Sequence, residues 1–322
     1  VVALTTRQAA ALGSERVSRM TTAQLQVMET SDLAVVGNDA IGELTTAQLE
    51  ALTTAQIASL TSDQFRSIQS SKVSSLTTAQ VVAMNTRQAA NLEGDQLKAM
   101  TTAQVVVIET NDLVKLSGDA INQLTTAQVA AMTTSQVEAI ATNQISSLKA
   151  ENLAAMSTAQ VVALTTRQAS LLSGEQVSAM TTAQVVELET SDLVALAADT
   201  VAAMTTAQIS VLTTAQVEAL NTQQISQLGT DRISNLTTAQ VEALNTKQAS
   251  TLSVDRVRAL TTAQVAAIQT RDIEKISSDA IASMTTAQTF AFTTSQVEAL
   301  NTSQARVLTN EQVAAWTTAQ VQ

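Results

Sequence analysis

Apolar side chains recur along this chain at two fixed phases of an eight-residue period. Counted from Leu4, each octad reads apolar, Thr, Thr, x, Gln, apolar, x, Ala, as in LTTRQAAA, MTTAQLQV, LTTAQLEA and LTTAQIAS. The phase holds without insertion or deletion through 39 complete octads and a partial one from Trp316 to Gln322. The first position is apolar throughout, from Leu4, Leu12, Met20 and Met28 to Phe292, Leu300, Leu308 and Trp316. The sixth is apolar too, Ala included, except at Thr289. Such strict phase makes each octad one spatial step of a repeat architecture.

An uninterrupted helix cannot use this period. Eight residues advance an α-helix by about 800°, so its apolar pair would drift by about 80° per octad. Coiled coils need periods near about 3.5 or 3.67 and are excluded in the same way. The octads are therefore separated by turns. With the second position as N-cap, the fifth-position Gln falls at N3 and completes a capping box, while the first and sixth positions become the two partners of a hydrophobic staple. Thr21 with Gln24, Thr45 with Gln48 and Thr101 with Gln104 carry the box; Met20 with Leu25 and Leu44 with Leu49 carry the staple. Gln holds the fifth position in 27 of 40 octads and Asp in four more, and six of the seven Gly lie at the second or third position, where the chain turns.

These features predict an all-α solenoid of short capped helices, one per octad, each of about six residues. Helices of that length are unstable alone, so stability comes from stacking, with first and sixth positions inward and Ala at the eighth permitting close approach. A β-solenoid is the alternative, since Thr, Val and Ile favour strands. Against it, the two inward positions differ in parity, whereas a continuous strand alternates with a period of two.

A longer period lies over the octads. Four blocks of ten octads, 1–80, 81–160, 161–240 and 241–320, open with VVALTTRQAA, VVAMNTRQAA, VVALTTRQAS and VEALNTKQAS, so residues 1–322 form one repeat array. Asp replaces the fifth-position Gln at Asp32, Asp112, Asp192 and Asp272, and the next octad carries Asp39, Asp119, Asp199 and Asp279. Duplication explains this recurrence economically. Ten octads per block suit a coil of two octads, which would give a rod on the order of 150 to 200 Å long at usual helix spacings.

Composition narrows the chemistry. The chain has no His, Cys, Tyr or Pro. Imidazole and thiol nucleophiles, His or Cys metal sites and disulfides are thus excluded, no catalytic constellation emerges, and a non-enzyme with no cofactor is expected. A net charge of −11 argues against nucleic acid and anionic membranes as partners, and no apolar run approaches a membrane span. The first residue is Val, which suggests a processed or excised segment, and both ends stop within an octad, so the array is expected to continue or to stack end to end.

Four features invite a functional reading. Glu29, Asp32 and Asp39, with Glu109, Asp112 and Asp119 in the next block, are weak calcium candidates; helix capping explains them better, because Gln269 replaces the Glu in the fourth block and calcium loops need more oxygen ligands. Stacked Thr at positions two and three would form ladders suited to ice, although Glu29, Gly37, Gln69 and Lys149 interrupt them. Arg7, Arg87, Arg167 and Lys247 face Glu15, Asp95, Glu175 and Asp255 in the adjacent octad as candidate surface ion pairs. Phe65, Phe292 and Trp316 occupy core positions, while Phe290, at a seventh position beside Thr289, is a candidate exposed contact.

Runs such as LTTAQVEALNTQQISQL and LTTAQIASLTSDQF resemble the Thr-Thr-x-Gln octad arrays of very large repetitive secreted or surface proteins of bacteria, adhesin-like chains among them. The resemblance spans the whole sequence and brings no catalytic residues. It implies an extracellular or cell-surface setting, a surface or matrix partner, and a role in adhesion, matrix or fibre building. The LTxxQV helix start also resembles that of DNA-reading effector repeats, but the eight-residue period and the acidic charge depart from them. The expected function is a structural and interaction protein: an elongated solenoid rod serving as stalk, spacer or self-assembling fibre segment, with an ice-binding surface or a calcium-rigidified adhesin stalk as alternatives.

Overall fold

A computed structural model of the chain describes residues 4–322; residues 1–3, where the first block opens, lie outside the described residues. Among the described residues there are 39 α-helices of four to six residues, from Thr6–Ala10 to Asn310–Ala314, followed by a 3₁₀ turn at Thr318–Gln320, and no strand. The fold is an all-helical solenoid with one helix per octad. The β-solenoid alternative is set aside.

Each helix begins at the third position of its octad, because the second is held extended. Thr21 has φ −71° and ψ 155°, and Thr53 has φ −69° and ψ 156°. Where a helix runs its full six residues, the next first position is extended as well: Leu52 has φ −61° and ψ 138°. Two extended residues thus make the corner. No described residue has positive φ, so the glycines are not there to permit a left-handed turn. Some serve close approach between coils instead. A methyl group added at Gly94 would lie 2.6 Å from Gln123 Cγ, and one at Gly42 would lie 2.7 Å from the Ser67 carbonyl oxygen.

Helices stack on their third neighbours along the chain, not their second. Gly174–Ala179 packs on Ala198–Ala203, which packs on Thr222–Gln227, and Thr6–Ala10 packs on Thr30–Leu33, which packs on Thr54–Ser59. A coil therefore contains three octads, where the even block length had suggested two. The corner is set inside each octad, so block length places no constraint on the coil. Ten is not a multiple of three, so equivalent octads of the two blocks within one unit fall on different sides.

Two compact units make up the chain, one ending at Leu164 and the other Thr165–Gln322. In each, first and sixth positions fill the core: Leu25, Leu33, Ile41, Leu44 and Leu49 are fully buried in the first, as are Val177, Val201 and Ile225 in the second. Full burial of such aliphatic side chains is worth about 1.5–3 kcal/mol each, which offsets the ordering of helices too short to persist alone. Phe65 and Phe292 are buried, but Trp316 is only half-buried, because no described coil covers its outer side; its Nε1 donates to the Thr289 carbonyl at 2.8 Å. Thr289 itself is fully buried and directs its hydroxyl to the carbonyls of Thr285 and Thr286, while Phe290 is 55% exposed.

Candidate functional site: the glutamine clamp between coils

Each helix is too short to satisfy many of its own backbone groups, so its first N–H groups and last carbonyls need partners from elsewhere. The fifth-position Gln supplies both at once. Gln56 Oε1 accepts the Thr53 N–H at 2.9 Å while Thr53 Oγ1 accepts the Gln56 N–H at 3.2 Å, the reciprocal capping box. Gln56 Nε2 then donates to the carbonyls of Leu25 at 2.7 Å and Met28 at 2.9 Å, at the corner of the preceding coil. One amide thus ties the start of its own helix to the end of a helix laid down one coil earlier. The amide orientation follows from its partners: oxygen must face the N–H and NH₂ the carbonyls.

Thr45 with Gln48 and Thr101 with Gln104 have the same geometry. Gln48 Nε2 donates to Val17, Ser18 and Met20, and Gln104 Nε2 donates to Val73 and Leu76. Thr21 and Gln24 form the box in the first described coil, where Gln24 is exposed. Elsewhere these Gln are nearly all buried, 0–4% exposed at Gln48, Gln88, Gln144 and Gln224. Ala141 shows which half of the box matters: with no side-chain oxygen to give, its N–H still donates to Gln144 Oε1 at 2.7 Å.

Reading the sequence assigned these Gln to capping and missed the clamp. A signal was present. A capping box accepts Glu as readily as Gln, yet no octad has Glu at the fifth position. Only the amide has a donor for the coil before. Five polar replacements keep that donor: Lys72 Nζ reaches the Gly42 carbonyl at 2.8 Å, Asn152 Nδ2 reaches Leu124 at 3.0 Å, Thr200 Oγ1 reaches Leu172 at 3.2 Å, and Arg232 and Arg256 place Nε 2.8 Å from the carbonyls of Met204 and Leu228.

Two of the four Asp octads reverse the polarity. Asp192 Oδ1 accepts from Thr166 Oγ1 and Asp272 Oδ1 from Thr246 Oγ1, both at 2.7 Å. Burial, and secondly the Glu109 carboxylate, raise the Asp112 carboxyl above its ordinary range. Glu29 and Glu109 stand exposed at N-caps without a side-chain cap, Asp39 is exposed in the next helix, and Asp32 and Asp112 are buried. Among the described residues no three acidic side chains gather as a metal-binding group. In the first unit, Asp32 and Asp112 also lie on different sides of the coil, as their ten-octad separation dictates.

The ion pairs differ from those expected, because consecutive octads lie on different sides and vertical neighbours stand three octads apart in the chain. Glu15 pairs with Arg19 at 2.9 Å and Arg66 with Glu93 at 2.7 Å across coils; none of the four adjacent-octad pairs of the Arg7 series forms among the described residues. The Thr ladders are less broken than the linear sequence suggested. On one side of the first unit, Thr53–Thr54, Thr77–Thr78, Thr101–Thr102 and Thr125–Thr126 follow one another through four coils, with Glu29 and Lys149 at the two ends and Gly37 and Gln69 on other sides. No described helix is long and apolar enough to cross a membrane.

The sequence model of the family described as ALTTAQ repeat matches residues 25–62, 105–142, 145–182, 185–222 and 265–302, together more than half of the chain. The matches that open at positions 25, 105, 185 and 265 begin at the same point of each of the four blocks. No curated protein matches. The matches follow the recurring Thr-Thr-x-Gln octads, and this chain belongs to the ALTTAQ repeat family.

Proposed function

We propose that the chain is a structural and interaction protein whose octads serve as a stalk, spacer or self-assembling fibre segment of a large secreted or surface repeat protein. The observation that supports this reading is the glutamine clamp. Each coil holds the one before it through the same few groups, so coils add without disturbing those already laid down. A surface or matrix partner, an extracellular setting and end-to-end association belong to the same reading, which gives the chain no catalytic role. Small-angle scattering and electron microscopy of the purified protein test it. Extended particles are expected, and compact globules would overturn it.

A second reading is favoured by the four-coil Thr-Thr-Ala tract at 53–55, 77–79, 101–103 and 125–127, which is free of charge and exposed except for the half-buried Thr125. Such a regular hydroxyl and methyl surface suits ordered water at an ice face. Failure to inhibit ice recrystallisation at micromolar concentration would remove this reading.

A further inference from the structure

We propose that the fourth and fifth octads of every block form a seam at which the solenoid opens first, so that the block period divides the array into sections that yield separately. This goes beyond the structural role proposed above and does not depend on it.

The argument starts from what ties one coil to the next. Within each unit, every backbone–backbone hydrogen bond among the described residues joins positions at most four apart, so coils share no backbone ladder of the kind that binds a β-solenoid. Apart from the apolar core, most ties are side-chain donors to carbonyls of the coil before, and the fifth-position Gln supplies most of these. At the seams this residue is missing twice in succession: Asp32 and Ala40, Asp112 and Ala120, Asp192 and Thr200, Asp272 and Ala280. An ionised carboxylate and a methyl group have nothing to donate.

The same octads lose their capping boxes. Glu29, Gly37, Glu109, Glu189, Ala197 and Gln269 give no side-chain cap, and Ser117 and Ser277 cap through a single bond to the N–H groups of Ala120 and Ala280. Each seam therefore combines weakly capped helix starts, absent clamps and a buried carboxylate within two successive octads, while Leu33, Ile41, Leu113 and Ile121 keep its core filled. It is folded like the rest but held by fewer bonds. The seams also differ among themselves. Thr166 to Asp192 and Thr200 to Leu172 restore two ties in the third block, and Thr246 to Asp272 with Gln269 Nε2 to the Glu242 carbonyl restore two in the fourth. At Asp112 and Ala120 no side-chain tie to the preceding coil forms among the described residues.

Native-state hydrogen exchange on the full chain reads local opening directly. The amides of Leu113 and Ile121, bonded to the Glu109 and Ser117 carbonyls, are expected to exchange at least about tenfold faster than those of Val105 and Val129, bonded to Thr101 and Thr125. Fast exchange should recur once in every block, with the third-block seam slower than the second. Uniform exchange, or a fastest site inside a Gln octad away from the ends, overturns the proposal. Installing both clamps with Asp112→Gln and Ala120→Gln should slow Leu113 and Ile121 to the rate of Val105; unchanged rates in the folded variant overturn it. If that variant does not fold, Gln104→Ala replaces it and should bring Val105 up to the seam rate. No change there would likewise sink the idea.

Discussion

Gln104 Nε2 lies 2.6 Å from the Leu76 carbonyl oxygen while Gln104 Oε1 lies 2.7 Å from the Thr101 nitrogen, so one side chain joins the corners of two successive coils. The bond to Leu76 serves a carbonyl that the preceding short helix and its corner leave without a helical partner. Because both ends of the amide are committed, the two substitutions most often treated as mild, to Glu and to Ala, should behave differently here.

Gln104→Glu keeps the oxygen that caps Thr101 but turns its second oxygen toward the carbonyls of Val73 and Leu76. Acceptor then faces acceptor in a buried site, with a charge added. A loss of about 2–4 kcal/mol in local stability is expected at neutral pH, against about 1–2 kcal/mol for Gln104→Ala. Acidification should relieve the Glu variant, since a protonated carboxyl can donate, and leave the Ala variant unchanged. Hydrogen exchange of the Val105 amide in the two variants at pH 7 and pH 4, each referred to wild type at the same pH, distinguishes them. A Glu variant that exchanges like wild type at both values would show that Nε2 contributes nothing.

Asn152 carries the one fully enclosed side-chain polar atom among the described residues without a hydrogen-bond partner, its Oδ1. Its Nδ2 keeps the tie to Leu124, but the side chain is one methylene shorter than Gln and its oxygen makes no bond to the Lys149 N–H. Asn152→Gln supplies the missing length. Stabilisation by about 1–2 kcal/mol is expected, visible as slower exchange of the Leu153 amide, because a buried orphan acceptor is replaced by a satisfied one. A destabilised variant would mean that this octad has no room for the amide its neighbours accommodate.

How much of this was legible in the sequence follows from the reach of each interaction. Helix starts at Thr22, Thr46 and Thr102 are fixed by chemistry confined to one octad, and its repetition along the whole chain makes it plain. The inward faces of Leu25 and Leu33 follow from the same short window. The number of octads per coil depends on contacts such as Gln56 with Leu25, whose partners lie a full coil apart and for which a uniform repeat offers many equivalent candidates. For that reason Arg7 and Glu15 looked like neighbours, whereas Glu15 turns to Arg19 and the cross-coil pair is Arg66 with Glu93. The absence of Glu from the fifth position was the one local trace of the longer contact.

The glycines offer a test of coil spacing. Gly42 faces the Ser67 backbone carbonyl, which cannot move without shifting a coil, whereas Gly94 faces the flexible Gln123 side chain. Gly42→Ala is expected to cost about 1–3 kcal/mol. Gly94→Ala should be close to neutral, since Gln123 can rotate away and Ala is favoured over Gly inside a helix by up to about 1 kcal/mol. Thermal melts and exchange rates of the two variants check the order, and a reversal would place the coils farther apart than described.

Asp112 gives the array a pH dependence with a definite sign. Its folded-state carboxyl is raised, through burial first and the Glu109 carboxylate second, so in the interval just above the ordinary carboxylate value the folded chain holds a proton that the unfolded chain has released. The stabilising contribution of this group is therefore complete below that ordinary value and is lost as pH rises through the raised one. At neutral pH its buried charge counts against folding. Asp112→Asn removes the charge and supplies an Nδ2 donor at the position from which Asn152 reaches its preceding coil. The variant should gain about 1 kcal/mol at pH 7 relative to wild type, an amount set by one net hydrogen bond, and the advantage should shrink as pH falls from the raised value toward about 4 and stay level below it. Exchange of the Leu113 amide across that range is the measurement. An advantage that grows on acidification would mean that the ionised carboxylate, not its protonated form, is the stabilising state in this octad.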